Sequence, residues 1–216
     1  MTTSYSIPEN IDALVDEYRE LRPVLKRLHS ELSKLIRRDD MFACAKRLKM
    51  LIRQDGKKVI RFEHEHEMDI FQDYLLYTFR PHGINAAQQM LNAKRYPKTC
   101  IEHPLLEGMA KARFSIFIIK QIIHDYGFVG MDIQSGDDFF IMDLTLPQQD
   151  VVGMMIGFRI FPYRGYWMHT GANISLAESP DIADFKPIGI IDNQNEERDL
   201  NEAIIFKIRD IFSESY

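Results

Sequence analysis

The stretch FEHEHEM, residues 62–68, has the residue types of a metal site, because histidine and glutamate side chains alternate along it. On a β-strand, His64 and His66 would lie on the same face and could bind one metal ion together. On an α-helix they would point about 200° apart around the axis. Glutamate and methionine favour a helix, and the positive end of the helix dipole favours glutamates in the first turn. We therefore predict that this stretch begins a helix and that the two histidines diverge.

One metal-binding pattern is compatible with such a helix. Glu63 and His66 form an E-x-x-H pair, and Asp73 lies near the same face. Two-metal carboxylate centres in helix bundles take such pairs from two different helices. The sequence has no second E-x-x-H pair and no H-E-x-x-H motif. We therefore predict no metal site and no cofactor.

Other catalytic motifs are missing from the sequence. It contains no G-x-S-x-G nucleophile elbow, no P-loop and no G-x-G-x-x-G motif. Asp132, Asp143 and Glu178 could act as acids, but no sequence spacing brings them together, and Cys44 is expected to be a buried, inert thiol. We predict no catalytic residue, and an enzyme with dispersed catalytic residues is kept as an alternative.

The segment FRIFPYRGYWMHTG, residues 158–171, combines aromatic and cationic side chains, which are favoured anchors at binding interfaces. It is the best candidate for a recognition surface, and it favours a non-catalytic binding or adaptor protein whose partner is another protein or a small ligand. The alternative is that Phe158, Phe161 and Trp167 only fill a barrel core. The candidate binding residues are Arg159, Tyr163, Arg164, Tyr166, Trp167 and His169.

Charge is distributed unevenly along the chain, whose net charge is −5. Residues 22–61 hold 13 lysines and arginines against 4 acidic residues, a net +9, whereas residues 178–216 hold 4 against 10, a net −6. The basic segment, read as helices, could bind nucleic acid or another polyanion. The acidic tail could instead neutralise it. We consider nucleic acid the less favoured partner and expect no specific binding near physiological salt.

A heptad seam of apolar residues runs from Ile11 to Leu35 and predicts a long helix with Pro23 inside it. The seam would pack within the chain or form a homodimer. After Arg113 the sequence changes to five short runs rich in Ile, Val and Phe, which predict a small antiparallel barrel or bent sheet. The fold class is therefore α+β, with a helical region (1–112), a barrel (113–177), and a connection with an amphipathic C-terminal helix (178–216).

Composition supports a globular protein, with 45% hydrophobic and 27% charged residues. No apolar run reaches the length of a membrane span, and the first residues do not resemble a signal peptide. Two cysteines with no metal-binding spacing predict reduced thiols. We expect a cytoplasmic protein that does not enter membranes.

Three segments resemble a group of uncharacterised bacterial proteins: HEMDIFQDYLLYTFRPHGINAAQQML, ARFSIFIIK with VGMDIQSGDDFFIMDL, and GYWMHTGA. The resemblance covers roughly residues 40–175. Its motifs are structural, namely the helix break at Gly83–Asn85, the strands that carry Asp132 and Asp143, and the strand at Trp167–Gly171. The resemblance implies a helical N-terminal half followed by a small barrel, and it implies no activity.

Overall fold

Apolar helix faces in the first half of the chain pack against a closed barrel formed by the second half. The computed structural model describes residue 5, residues 7–176 and residues 194–213, without the side chains of residues 208 and 210–213. The helices are α1 (Ile11–Ser33), α2 (Arg38–Arg47), α3 (His66–Asp73), α4 (Ala86–Asn92), α5 (Glu102–Ala110) and α6 (Gln194–Ser213). The predicted connection at residues 178–193 lies outside the described residues.

The heptad seam of α1 is buried within the chain. Its residues pack with α4, α5 and the outer face of the barrel in one cluster. Leu21, Leu28 and Leu32 have no exposed surface, whereas Leu35, beyond the helix end, is 38% exposed. Pro23 lies inside the helix without ending it. A homodimer through this seam stays a prediction.

The basic segment is not helical throughout, contrary to the prediction. Residues 51–60 form a hairpin of two strands, β1 (Leu51–Gln54) and β2 (Lys57–Ile60), joined by Asp55 and Gly56. Both turn residues have positive φ, 51° and 76°, as a two-residue type I′ turn requires. Because lysine and arginine occupy positions in both strands, the sequence lacks the regular apolar–polar alternation that indicates a strand.

The α3 helix begins at His66, within the stretch 62–68 that was predicted to begin a helix, and continues into a π-helical turn at Tyr74–Thr78. In that turn Phe79 donates its amide to the carbonyl of Tyr74, five residues earlier, at 2.8 Å. Such π-helical turns are rare in proteins, and many of those that occur lie at functional sites. No residue pattern in Tyr74–Thr78 indicates such a turn.

The second half forms the predicted five-stranded barrel. Its strands are β3 (Arg113–Ile123), β4 (Gly127–Asp132), β5 (Asp138–Met142), β6 (Met155–Tyr163) and β7 (Tyr166–Ser175). The strand order is β3-β4-β5-β7-β6, and β6 pairs with β3 to close the barrel. The β5–β7 pair is parallel and the other pairs are antiparallel, so the barrel is mixed rather than wholly antiparallel.

The strand order and the bulge in the long strand β3, between Ile119 and Gln121, correspond to the topology of OB-type barrels. The barrel interior is apolar, with Phe117, Phe128, Phe158 and Ile160 among its fully or almost fully buried residues. Two further clusters cover the outside of the barrel, one with α1, α4 and α5 and the other with α2, α3 and α6.

The α6 helix lies in the acidic C-terminal segment and packs against the basic N-terminal half of the chain. Leu200 and Ile204 belong to the apolar face of the predicted amphipathic helix and are buried, whereas the side chains of Ile208 and Ile211 lie outside the described residues. Glu202 pairs with Arg47 at 2.5 Å and accepts a hydrogen bond from the hydroxyl of Tyr74. The tail therefore neutralises part of the basic segment.

Candidate functional site

Strand alternation divides the six candidate binding residues between two faces of the barrel. Trp167 and His169 pack with the barrel interior. Tyr163 and Tyr166 are each 2% exposed and pack with α1 in the outer cluster. Arg164 lies at the exposed turn between β6 and β7 and pairs with Glu17 at 2.7 Å. The six residues therefore do not form one continuous surface.

Arg159 is fully buried against the helices, at the centre of a charged network. Its Nε donates to Asp73 at 2.9 Å and one terminal nitrogen donates to Glu197 at 2.6 Å. The other terminal nitrogen donates to the hydroxyl of Thr78 at 2.5 Å. Burial opposes the charge, but Asp73 and Glu197 raise the pKa of Arg159 above its ordinary value. The network joins β6 to the π-helical turn and to α6.

The π-helical turn explains how Asp73 and Thr78 both reach Arg159. They are five residues apart, which places them on different faces of an α-helix, but i→i+5 hydrogen bonding widens the turn. Thr170 also donates to Asp73 at 2.7 Å, and Asn201 donates to Thr78 at 3.0 Å. Since its polar atoms are satisfied by the protein itself, we assign this network a structural role.

Another buried carboxylate, that of Asp132, lies inside the barrel at the end of β4. Asp132 accepts hydrogen bonds from Arg113 and from the hydroxyl of Ser115, both at 2.6 Å. The guanidinium of Arg113 also lies 5.0 Å from the ring centroid of Phe139 and 6.0 Å from that of Trp167. This end of the barrel is therefore filled by an ion pair and aromatic rings.

The opposite end of the barrel interior contains a cavity of about 370 Å³. Its apolar wall includes Phe128, Val151, Ile156 and Phe158, all buried. Its polar residues come from α1, from the β5–β6 connection and from β7. They are Arg22, Asp143, Thr145, Gln149, Asp150, His169, Asn173 and Ser175. Of the six predicted binding residues, only His169 is in the lining.

Asp143 and His169 are hydrogen-bonded to each other in this cavity, through Oδ2 and Nε2. His169 Nδ1 accepts from the amide of Gly171 at 3.2 Å, so in the neutral ring Nε2 carries the proton. The other carboxylate oxygen of Asp143 accepts from the amides of Thr145 at 2.5 Å and Leu146 at 3.1 Å. Burial opposes ionisation, but His169 and these amides lower the pKa of Asp143 to about 2.

Asp143 and His169 have the residue types of a catalytic dyad, but His169 has no ring nitrogen free to contact a substrate. A general base needs a ring nitrogen that can reach the substrate proton. Here one nitrogen donates to Asp143 and the other accepts a backbone amide. The pair therefore holds the β5–β6 connection against β7 and leaves a fixed polar edge on the cavity.

The histidines of FEHEHEM do not diverge, which corrects the prediction. His64 precedes α3, in a turn, and its ring stacks on that of His66, with centroids 5.5 Å apart and an interplanar angle of 8°. Within the described ranges, no group of three or more histidine, cysteine or acidic side chains could hold a metal ion. That no metal binds stays a prediction, which elemental analysis would test.

The outer barrel surface that OB-folds use for oligonucleotides is covered by α1. That surface consists of the second and third strands and two loops, here β4, β5, residues 124–126 and the β6–β7 turn. Phe140 and Met142 on β5 are buried in the α1 cluster. Asp12 accepts from the hydroxyl of Tyr126 at 2.6 Å, while Glu17 binds Arg164. The acidic side of α1 thus contacts both loops.

Comparison with known protein families places the chain in a family of unknown function. A family model described as "Family of unknown function (DUF7986)" matches residues 12–180, so the chain belongs to this family. No curated protein and no solved structure was found to match the chain. The predicted resemblance to an uncharacterised family is confirmed, and the matched range includes every residue that lines the cavity.

Among the helices of the described residues, none is both long and apolar enough to span a bilayer.

Proposed function

We propose that this protein is a non-catalytic binding protein that takes a small, partly apolar organic molecule into the barrel cavity. The supporting observation is the combination of an apolar wall with a fixed polar edge at Asp143 and His169. Ligand sites are typically concave, mostly apolar and about 300–1,000 Å³, with few polar groups that set orientation. A cytoplasmic location and a bacterial source stay predictions.

The chemistry of the lining indicates the kind of ligand. Phe128 and Phe158 offer aromatic surface, while Asn173 and Ser175 offer hydrogen bonds at the exposed edge. Arg22 lies at the mouth, exposed, with its guanidinium 5.7 Å from the ring centroid of Tyr18. We therefore favour a ligand with an aromatic or aliphatic body and one anionic or hydrogen-bond-accepting group directed at Arg22.

Two observations rank this function above the alternatives. The ring nitrogens of His169 are both engaged within the protein, which disfavours acid–base catalysis. The barrel surface that OB-folds offer to nucleic acid is covered by α1. Of the six residues first considered for binding, His169 is the one that this proposal retains.

Titration with 1-anilinonaphthalene-8-sulfonate tests the proposal, because this probe has an aromatic body and one sulfonate. We expect saturable fluorescence with the full chain. Asn173→Trp, which fills the cavity from its edge, should weaken binding at least about tenfold. Arg22→Gln should weaken binding several-fold, because it removes one exposed charge-assisted hydrogen bond to the sulfonate.

Two matched variants separate the cavity from general surface effects. Val152→Trp adds the same side chain at a neighbouring position that is 55% exposed and does not line the cavity. Lys26→Gln removes an exposed cation from the same helix as Arg22. Both should leave the affinity unchanged. Equal binding by Asn173→Trp and the wild type, with both folded, would overturn the proposal.

A further inference from the structure

The β1–β2 hairpin carries a concentration of positive charge that the barrel cavity does not explain. Four exposed cations lie on it or immediately after it, and we call this set the basic ribbon: Arg53, Lys57, Lys58 and Arg61. The amide of Arg61 donates to the carbonyl of Met50 at 2.8 Å, so the backbone pairing continues to that residue. Asp55, at the turn, is the single acidic residue in the sequence of residues 51–61.

The register of the hairpin brings like charges together. Arg53 is directly opposite Lys58. Like charges in facing positions destabilise a strand pair, and a two-stranded hairpin is marginally stable alone. The hairpin is held by Leu51 and Ile60, which pack on the cluster around α2. A fold that tolerates this repulsion on an exposed hairpin is consistent with an external anion that relieves it.

Arg53 and Lys58 share one face of the hairpin, and Lys57 and Arg61 lie on the other. Cations of α2 lie beside the first of these faces. Arg38 and Lys58 approach the ring of Phe42 from two elements, with distances to its centroid of 5.3 Å and 5.8 Å. Lys46 and Lys49 are also exposed near the end of this helix. In the part of the chain that the structure describes, the ion pairs of this region are Arg37–Asp40 and Arg47–Glu202, and His82 also lies 3.7 Å from Asp40; none of these contacts includes the basic ribbon.

We propose that the basic ribbon binds the phosphate backbone of duplex nucleic acid without reading its sequence. A two-stranded ribbon fits a DNA major groove about 12 Å wide, and strands of this length extend about 14 Å. The hairpin carries no aromatic residue on which single-stranded bases could stack. Its one strongly exposed apolar residue is Val59, 36% exposed, and its tip is Asp55–Gly56, so it has no wedge for a membrane.

The affinity is set by charge alone and therefore depends on salt. Each phosphate contact contributes about −0.9 to the slope of log Kobs against log salt for duplex DNA, so four contacts give about −3.6. The whole chain has a net charge of −5, which opposes binding. Binding is measurable at low ionic strength and weak near 150 mM salt, about the physiological value.

Fluorescence anisotropy with two 20-base-pair duplexes of unrelated sequence tests the proposal at several KCl concentrations from low to physiological. The full chain should bind both duplexes equally. The triple variant Arg53→Gln, Lys57→Gln and Lys58→Gln should lose at least about tenfold in affinity at low salt, and its salt slope should become shallower by about 2.7. These side chains are exposed, so the circular dichroism spectrum should not change.

A matched triple variant, Lys94→Gln, Lys98→Gln and Lys111→Gln, removes the same charge from exposed positions near α4 and α5. It should lose at most about threefold. An equal loss in the two triple variants would overturn the proposal, as would no binding by the full chain at the lowest salt. Tighter binding to single strands would also overturn it. So would ribbon-dependent binding to phosphatidylserine vesicles but not to a duplex.

Discussion

Asp143 and His169 meet because each lies two residues beyond a partner in the parallel pair of β5 and β7. Ile141 is opposite Trp167 in that pair, and side chains two residues apart share a face of a strand. In parallel strands the same offset along both chains leads to neighbouring positions. The hydrogen bond between Asp143 and His169 is thus a consequence of barrel topology, and it positions the cavity edge.

Replacing Asp143 should destabilise the fold more than its size suggests. Asp143→Ala leaves the ring N–H of His169 and the amides of Thr145 and Leu146 without their acceptor. Unsatisfied buried groups cost about 1–3 kcal/mol each, so we expect a loss of about 2–4 kcal/mol after relaxation. Urea unfolding followed by circular dichroism measures it. Asp150→Ala, at the exposed edge of the same cavity, is the control, and an equal effect of the two changes would refute the role of Asp143.

Removing Arg159 alone should be more damaging than removing its whole charged network. Arg159→Leu leaves Asp73 and Glu197 buried without their cation, which costs about 3–5 kcal/mol. Adding Asp73→Asn and Glu197→Gln should restore part of that loss, because the residual charges disappear. Arg164→Leu, which breaks an exposed pair, should cost less than about 1 kcal/mol. A triple variant less stable than the single one would contradict this account.

The α1 seam should respond as a core and not as a dimer contact. Leu21→Glu or Leu28→Glu places a charge where the side chain has no exposed surface, at a cost of several kcal/mol. We expect loss of helical circular dichroism and aggregation. Lys26→Glu, exposed on the same helix, should remain folded. If light scattering instead shows a wild-type dimer that either leucine change converts into a well-folded monomer, the seam is a dimer interface.

Stability should decrease between about pH 6.5 and pH 4 because of His29. Burial lowers the pKa of His29 to about 4, while Asp73 raises it and Arg22 lowers it further by smaller amounts. The ring also contacts the hydroxyl of Tyr77 at 2.8 Å. In the unfolded chain the histidine has its ordinary pKa near 6.5 and binds more protons over this range than in the folded chain. The folded state therefore loses stability as the pH is lowered, and the loss levels off below about pH 4.

The size of this decrease follows from the pKa difference of about 2.5 units and is on the order of 3 kcal/mol. Urea unfolding at half-unit pH steps, compared between the wild type and His29→Gln, isolates it. The variant should lose this part of the pH dependence while keeping a hydrogen-bonding side chain toward Tyr77. Parallel pH curves for the two proteins would show that His29 is not the responsible group.

Local patterns predicted much of the fold. Gly83, at a φ of 79°, and Asn85, which caps α4 in a capping box with Gln88, lie at the predicted helix break. The five strands were visible as β-branched and aromatic runs. The β1–β2 hairpin was missed because Arg53 and Lys58 give no apolar alternation, and the π-helical turn has no sequence signal.

The site was harder to predict, because it depends on which strands are neighbours. Asp143 and His169 could be named individually, but only the parallel pairing of β5 with β7 joins them. Arg159 was expected at a surface, yet its place on β6 directs it to the helices, where Asp73 and Glu197 offset its burial. An aromatic and cationic composition does not reveal the face on which each side chain lies.

The central claim, that the barrel cavity is the binding site, is tested most directly by amide chemical shifts. Two-dimensional NMR of ¹⁵N-labelled protein titrated with 1-anilinonaphthalene-8-sulfonate reports where the probe binds. We predict the largest changes at Phe128, Thr145, His169 and Gly171, with saturation at one site and loss of these changes in Asn173→Trp. Saturable changes confined to other surfaces, with the cavity amides unaffected, would contradict the account.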